Sequence, residues 1–433
     1  MADRIENRKK TVDKRQMLLV ALCWAIYTAS YLGKYCYSAN ISVIRSYFAV
    51  DKATAGLVGT CFFFAYGAGQ VINGIFCKKY HVYFVVLGAL LVSACCNAIM
   101  AFCDNFAIFK YVWFINGATL SVLWPTLIRL LSENLSDDYC PKAVVVMGTS
   151  VAVGTFVTYG ISALFNAVIN NSSSYKYAFY VAIVALPMLA VLWATSYKKL
   201  VVKTDKSAAG TSAVGMQDLG NEKKKTSGAL LMTIIVLALF AVVTNLVKDG
   251  LTTWIPQILS DIYAMPDFLS ILLTLLLPVL ALFGTALAVA MNKKIKDIVN
   301  LCALAFAVIT VLIAIVIAAV NTGAAIMLIC LSLVSLMTSA VNNAVTSMFP
   351  LYYKEQLNSG LVAGVLNGFC YIGSTISSYG LGALADGVGW NAVFELLASA
   401  SAFCVVLAGI RILVANIKKK QKKCYLLPLM KNS

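Results

Sequence analysis

Charge is scarce in this 433-residue chain, where only 12% of residues are Asp, Glu, Lys or Arg. Soluble domains carry roughly 25%. Acidic residues are the scarcer sign, 18 against 34 lysines and arginines. Histidine occurs once, at His81, with no cysteine or carboxylate set around it for metal binding or nucleophilic catalysis. No Gly-rich phosphate cradle followed by Lys-Ser or Lys-Thr is present, which argues against ATP-driven pumping. The 13 cysteines include an adjacent pair, Cys95-Cys96, but no C-x-x-C. Most fall inside apolar runs, where cysteine behaves as a small buried hydrophobe. No enzyme, no cofactor and no metal site is expected.

What the chain has instead is apolar surface: 61% hydrophobic residues and a mean hydropathy of +0.85. A membrane-crossing helix needs about 20 apolar residues. Twelve runs qualify, at 17–43, 53–76, 82–103, 107–131, 143–169, 175–197, 228–260, 267–291, 297–320, 324–352, 358–384 and 389–416. The basic N-terminus leads into an apolar stretch too long for a signal peptide and without a small-residue cleavage site, so span 1 is expected to be retained.

The net charge of +16 is spread in a way that excludes a nucleic-acid partner. Lysines and arginines cluster in alternate connections. Arg4 to Arg15 precede span 1, Lys78 and Lys79 lie between spans 2 and 3, and Arg129 and Lys142 flank the 4–5 turn. Lys198 to Lys225 join spans 6 and 7, Lys293 to Lys296 join 8 and 9, and Lys418 to Lys423 follow span 12. The opposite connections hold scattered cations such as Arg45, Lys52 and Lys176. Positive loops stay inside, so both termini are expected in the cytoplasm. The fold expected is an all-α membrane protein with two pseudo-symmetric six-helix bundles. A basic tail at 1–16 precedes one bundle at 17–198; a linker at 199–227, rich in Ala, Gly, Ser and Lys, precedes the second at 228–416; a basic tail at 417–433 follows. A monomer in a plasma (inner) membrane is expected. Asn170 to Ser173, on the outer side, matches a glycosylation acceptor pattern.

Two lysines sit where water is not obvious. Lys34 lies within the first run, in Tyr31-Leu32-Gly33-Lys34-Tyr35-Cys36-Tyr37, and Lys248 lies within the seventh, followed by Asp249. A cation in a span costs roughly 2.5–3.5 kcal/mol on insertion scales, so an intramembrane lysine is by default a functional-site hypothesis. One per half suggests a paired anion site.

Particular stretches carry a family resemblance. Six spans, a basic linker and six more is the layout of the major facilitator superfamily. Tyr31 to Lys34, Trp124-Pro125 with Arg129, Leu246 to Pro256, and Gly360 to Trp390 with Tyr371, Gly373, Asp386 and Gly389 resemble segments of its organophosphate:phosphate antiporters, the glycerol-3-phosphate and hexose-phosphate transporters. The resemblance implies two halves rocking about a midplane site, a small anionic solute exchanged for inorganic phosphate, and Lys34 and Lys248 at the two substrate-binding arginine positions. The chain departs from that pattern in having lysines there, Gln70 at a second-span lysine, Val151 at a fifth-span histidine, and the extra acid Asp249. The superfamily's loop aspartate is matched by Lys78, and its second-half counterpart by Asn292. A lysine is a compact point charge, not a bidentate fork.

Helical spacing puts Tyr27, Tyr31 and Tyr35 on one face with Lys34, pairs Tyr66 with Gln70, and pairs Asn367 with Tyr371. With Asn245 these form the expected substrate site. Tyr37, Asn116, Trp124, Tyr159, Asn342 and Asn343 are further polar or aromatic candidates near it. Asp249 is the candidate coupling residue, free to pair with Lys34 across the halves or with another cation. Adjacent residues point about 100° apart, which sets Lys248 and Asp249 on different faces. The expected function is a secondary carrier of an organophosphate in exchange for phosphate. The alternatives are a proton-coupled carrier of a carboxylate or zwitterion through Asp249, and a non-transporting sugar-phosphate sensor.

Overall fold

The computed structural model describes residues 2–76, 79–136, 138–169, 171–201, 228–353 and 359–426. Lys78, Asn170, nearly all of the expected linker and the end of the C-terminal tail lie outside them. Twelve of the described helices are long and apolar enough to cross a membrane. Spans 1 to 6 are Lys14–Ala39, Lys52–Asn73, Val82–Phe102, Phe106–Asn134, Lys142–Ile169 and Tyr175–Leu200. Spans 7 to 12 are Leu230–Tyr263, Asp267–Lys294, Ile298–Ala319, Ala324–Tyr352, Leu361–Gly387 and Trp390–Leu413. A helix satisfies its backbone within one segment, which lipid requires, and the apolar runs locate these helices to within a few residues.

The ends differ more from expectation. The helix of span 1 starts at Ala2, and that of span 12 continues to Leu426, so the two basic tails are helical where described. Lys, Arg, Glu and Gln are good helix formers, and extending a formed helix needs no new nucleus.

Span 1 bends at Asn40 and resumes as a short helix, Ile41–Phe48. The Asn40 side chain donates to the Cys36 carbonyl at 2.9 Å and to Ser162 Oγ at 3.0 Å, and accepts from Asn166 Nδ2 at 2.9 Å. Every polar atom of the buried amide is thus partnered inside the bundle. Span 2 starts on Asp51, whose Oδ1 accepts from the Thr54 amide at 2.5 Å. Bonds from the Thr54 hydroxyl, and then from its amide, hold the Asp51 carboxyl below its usual range.

The two halves repeat one packing plan. Span 1 packs on 5, 2 on 4 and 3 on 6; in the second half, 7 packs on 11, 8 on 10 and 9 on 12. The halves meet through spans 2 and 11 and through spans 5 and 8. Exchanging the halves maps one of these seams onto the other, which is the pseudo-twofold relation expected from the layout.

The end bearing the 1–2, 7–8 and 11–12 loops is the one the lysine count assigns to the outside, and it is called outer here. Lys52, at the start of span 2, lies 3.3 Å from Asp261 and 3.5 Å from Asp386 of the second half. Asp386 also accepts from the Ala53 amide at 2.8 Å, and Arg45 Nε donates to Gln257 at 3.1 Å. Below this cluster, Ser378 Oγ donates to the Gly56 carbonyl at 2.9 Å and Thr60 Oγ1 donates to the Thr375 carbonyl at 2.8 Å. The outer end is sealed.

Candidate substrate-binding site

Lys34 is buried, with 7% of its surface exposed. Its ammonium is ringed by aromatic side chains. The Tyr66 centroid lies 4.4 Å from Nζ, with Tyr35 at 5.1 Å, Tyr31 at 5.3 Å, Phe63 and Tyr371 at 5.8 Å, and Phe62 at 5.9 Å. Five of the six rings belong to spans 1 and 2, each adjacent to or within one turn of another, and Tyr371 comes from span 11 of the opposite half. A desolvated cation over a ring gains about 2 kcal/mol, whereas removing an ammonium from water costs several. The rings offset part of that cost. No hydrogen bond or ion pair to Lys34 occurs among the described residues, and its electrostatic partners are Asp249 and Lys248 of the other half.

The second lysine is arranged differently. Lys248 Nζ lies 3.3 Å from Asp249 Oδ1, with the Asp249 side chain buried and Lys248 partly open. Ser374 of span 11 donates a short hydrogen bond to the other carboxylate oxygen. The two neighbours leave one continuous helix about 100° apart, and the ion pair forms because the lysine's flexible four-carbon stem curls across that angle. Asp249 therefore pairs with its own neighbour and makes no ion pair with Lys34. The formal charge of the three groups together is +1.

A hydrogen-bonded chain crosses between the halves on the inner side of Lys34. Asn367 Nδ2 donates to Gln70 Oε1 at 2.9 Å, Gln70 Nε2 donates to the Tyr66 hydroxyl at 3.2 Å, and the Tyr66 and Tyr27 hydroxyls lie 3.4 Å apart. Tyr371 packs on Tyr66 with ring centroids 5.0 Å apart. Lys34, Tyr31, Tyr35, Tyr66, Gln70, Asn367 and Tyr371 are thus brought together. The Gln70–Asn367 bond joins the halves, so Gln70→Ala and Asn367→Ala should be coupled. In chemical unfolding of the detergent-solubilised protein, the double variant is expected to fall short of the summed singles by about 0.5–1.5 kcal/mol. Strict additivity means the bond is not made.

The other candidates have partners of their own, and Tyr159 also packs on Tyr35 with ring centroids 6.5 Å apart. The Asn245 amide donates to the Ala241 carbonyl of its own helix at 3.2 Å and its side chain also meets Cys370, the residue before Tyr371. Tyr37 turns into the first half, donating to the Ala55 carbonyl at 2.7 Å. Asn116 lies behind span 1 and donates to the Gly33 carbonyl at 2.8 Å, one residue before Lys34. Trp124 packs on Tyr27 at 4.8 Å. Tyr159 donates to the Thr252 carbonyl at 2.8 Å, another bond between halves. Asn342 accepts from Cys370 Sγ at 3.4 Å, just before a π-helical turn at Ala344–Met348.

Ser374, Phe62 and the Lys52–Asp261–Asp386 cluster are absent from the residues expected at the site or its gate. Spacing held a signal for two of them. Ser374 is seven residues after Asn367 and three after Tyr371, on their face, and Phe62 is four before Tyr66. Opposite charges at the outer ends of spans 2, 7 and 11 were the only clue to the cluster.

Two six-helix halves related by a pseudo-twofold, joined at one end and each bringing a lysine toward their seam, have the architecture of a membrane transporter. A family model described as Major Facilitator Superfamily matches residues 23–356, and the chain belongs to that superfamily. Over 84 residues it is 27% identical to a "Probable hexose phosphate transport protein" of Chlamydia pneumoniae. That stretch is 19% of this chain and 18% of that protein. The fold is similar to a crystal structure of a bacterial homolog of the human lysosomal transporter Spinster in an inward-facing, occupied conformation. There the TM-score is 0.70 at 13% identity, over 92% of this chain and 97% of that one. At that identity the likeness is one of fold alone.

Proposed function

We propose that this transporter carries a small organic anion, an organophosphate such as a sugar phosphate or glycerol phosphate, in exchange for inorganic phosphate. The observation that carries this reading is the buried Lys34 ammonium, which has no hydrogen bond or ion pair among the described residues and faces the Asp249 and Lys248 pair of the opposite half. A buried cation without a counter-ion is costly, and a substrate anion that supplies one gains that cost back as binding. The short match to a hexose phosphate transport protein supports the same substrate class. Hydroxyls of Tyr31, Tyr35 and Tyr371, with Gln70 and Asn367, would orient the rest of the solute, and the flat rings would pack on a sugar's apolar edge. Rocking of the halves would expose the site alternately to each side, with the basic tails and linker in the cytoplasm and the chain acting singly in the plasma membrane.

The test is counterflow. Proteoliposomes loaded with phosphate should take up labelled glucose-6-phosphate or glycerol-3-phosphate faster than unloaded ones, and a protonophore should not slow them. A second reading rests on the buried Asp249 carboxylate, which is placed to couple a proton to carboxylate or zwitterion uptake. Uptake of such solutes that stops with the pH gradient would replace the first reading by the second. Ligand binding with no counterflow at all would make the protein a sensor.

A further inference from the structure

We propose that Asp249 is a built-in counter-anion that shields Lys248 while the site is empty, allowing the substrate-free carrier to pass through its closed state and return. The proposal rests on the anion-carrier reading of the two lysines and adds a coupling mode to it: net flux alongside exchange.

Three features support it. Asp249 is adjacent to Lys248 in sequence and lies 3.3 Å from its ammonium, so the pair moves as one body whichever way the second half tilts. Ser374, from span 11 of the same half, binds the second carboxylate oxygen, which fixes the carboxylate without tying the halves together. Lys34, from the other half, lies among aromatic rings and makes no ion pair among the described residues, Asp249 acting on it only at longer range.

In a carrier with two bare cations, closing brings like charges together in a space that excludes water. Repulsion and desolvation then rise together. The empty carrier stalls, and only exchange remains. With Asp249 in place, closure brings one bare cation toward a neutral pair. An arriving anion competes with Asp249 for Lys248, and the displaced carboxylate keeps its Ser374 bond.

The measurement needs no substrate. The full chain carries two dyes, attached through encoded non-natural amino acids at Ser172 in the 5–6 loop and Val388 in the 11–12 loop. Both positions are exposed. Single-molecule transfer efficiency in liposomes then reports opening and closing of the outer end. Asp249→Asn is expected to slow these transitions at least tenfold in the absence of any anion. The double variant Lys248→Gln with Asp249→Asn, which leaves no charge to shield, should return to within about threefold of the parent rate. A merely structural role for Asp249 would leave the double variant as slow as the single. Should Asp249→Asn fail to fold, Ser374→Ala provides the graded case, an intermediate slowing. Unchanged rates in Asp249→Asn, or no recovery in the double variant, overturn the proposal.

Labelled-phosphate flux in the same liposomes separates this proposal from its premise. Net efflux into phosphate-free buffer should fall at least tenfold relative to exchange in Asp249→Asn. Absence of phosphate exchange, with the dye effect intact, removes the organophosphate reading and keeps the counter-anion. Phosphate exchange with no dye effect does the reverse.

Discussion

Lys34→Ala abolishes substrate uptake, by a hundredfold or more, while the protein keeps its fold and melts at the same temperature or higher. The two halves of that expectation have different causes. A hydrogen-bonded contact to a charged group contributes about 1.5–3 kcal/mol, and loss of one partner of a buried ion pair costs about 3–5 kcal/mol. Removing the substrate's counter-ion therefore corresponds to a rate loss of two to three orders of magnitude. Within the protein itself the same ammonium has no hydrogen bond or ion pair among the described residues. Deleting it there removes a desolvated charge and breaks no such bond; the ring contacts offset only part of that gain. Lys34→Arg restores the charge and can stack on the Tyr66 and Tyr35 rings, so partial uptake is expected. Uptake by Lys34→Ala within threefold of the parent, or a large fall in melting temperature, contradicts this account. The first outcome removes Lys34 from the substrate path and the second makes it a structural residue.

The contrast between Lys34 and Lys248 also marks what was legible in the sequence. Both lysines stood out because each interrupts an apolar run, and a charge in such a run requires a reason. The twelve spans and their pairing into halves were legible for the same reason, since hydrophobic length alone selects them. Faces within one helix followed from spacing, and Tyr31, Lys34 and Tyr35 do share one. What spacing does not contain is the rotation of one helix against another. The Gln70–Asn367 bond, the entry of Tyr371 into the Lys34 ring box, and the Lys52 bridge to Asp261 and Asp386 all depend on that rotation. Tyr37 also lies on a plausible face, yet its hydroxyl turns to the Ala55 carbonyl within the first half. The Lys248–Asp249 pair is hidden for a third reason: backbone geometry gives the direction in which a side chain leaves the helix, and a lysine's stem is long enough to depart from it.

Gly56→Val is expected to hold the outer end open. A β-carbon built on Gly56 would lie 2.1 Å from the Ser378 carbonyl oxygen and 2.9 Å from its carbon. Both belong to span 11 of the opposite half, and both are backbone, so no side chain can swing aside. Ordinary non-bonded contact lies near 3.5 Å, and relief requires spans 2 and 11 to part by about 1 Å or more. That separation strains the Ser378–Gly56 and Thr60–Thr375 hydrogen bonds and the Lys52 bridge just outside them. Each half remains internally packed, since the clash lies between halves, and the variant should fold. Transport falls at least tenfold because the carrier cannot complete the outer-closed half of its cycle. The dye pair at Ser172 and Val388 shows dwell times shifted to the outer-open state. Gly148→Val is the matched control, because nothing lies within 4 Å of a β-carbon there. A closed dwell for Gly56→Val as long as the parent's would mean that spans 2 and 11 do not form the outer seal in the working cycle.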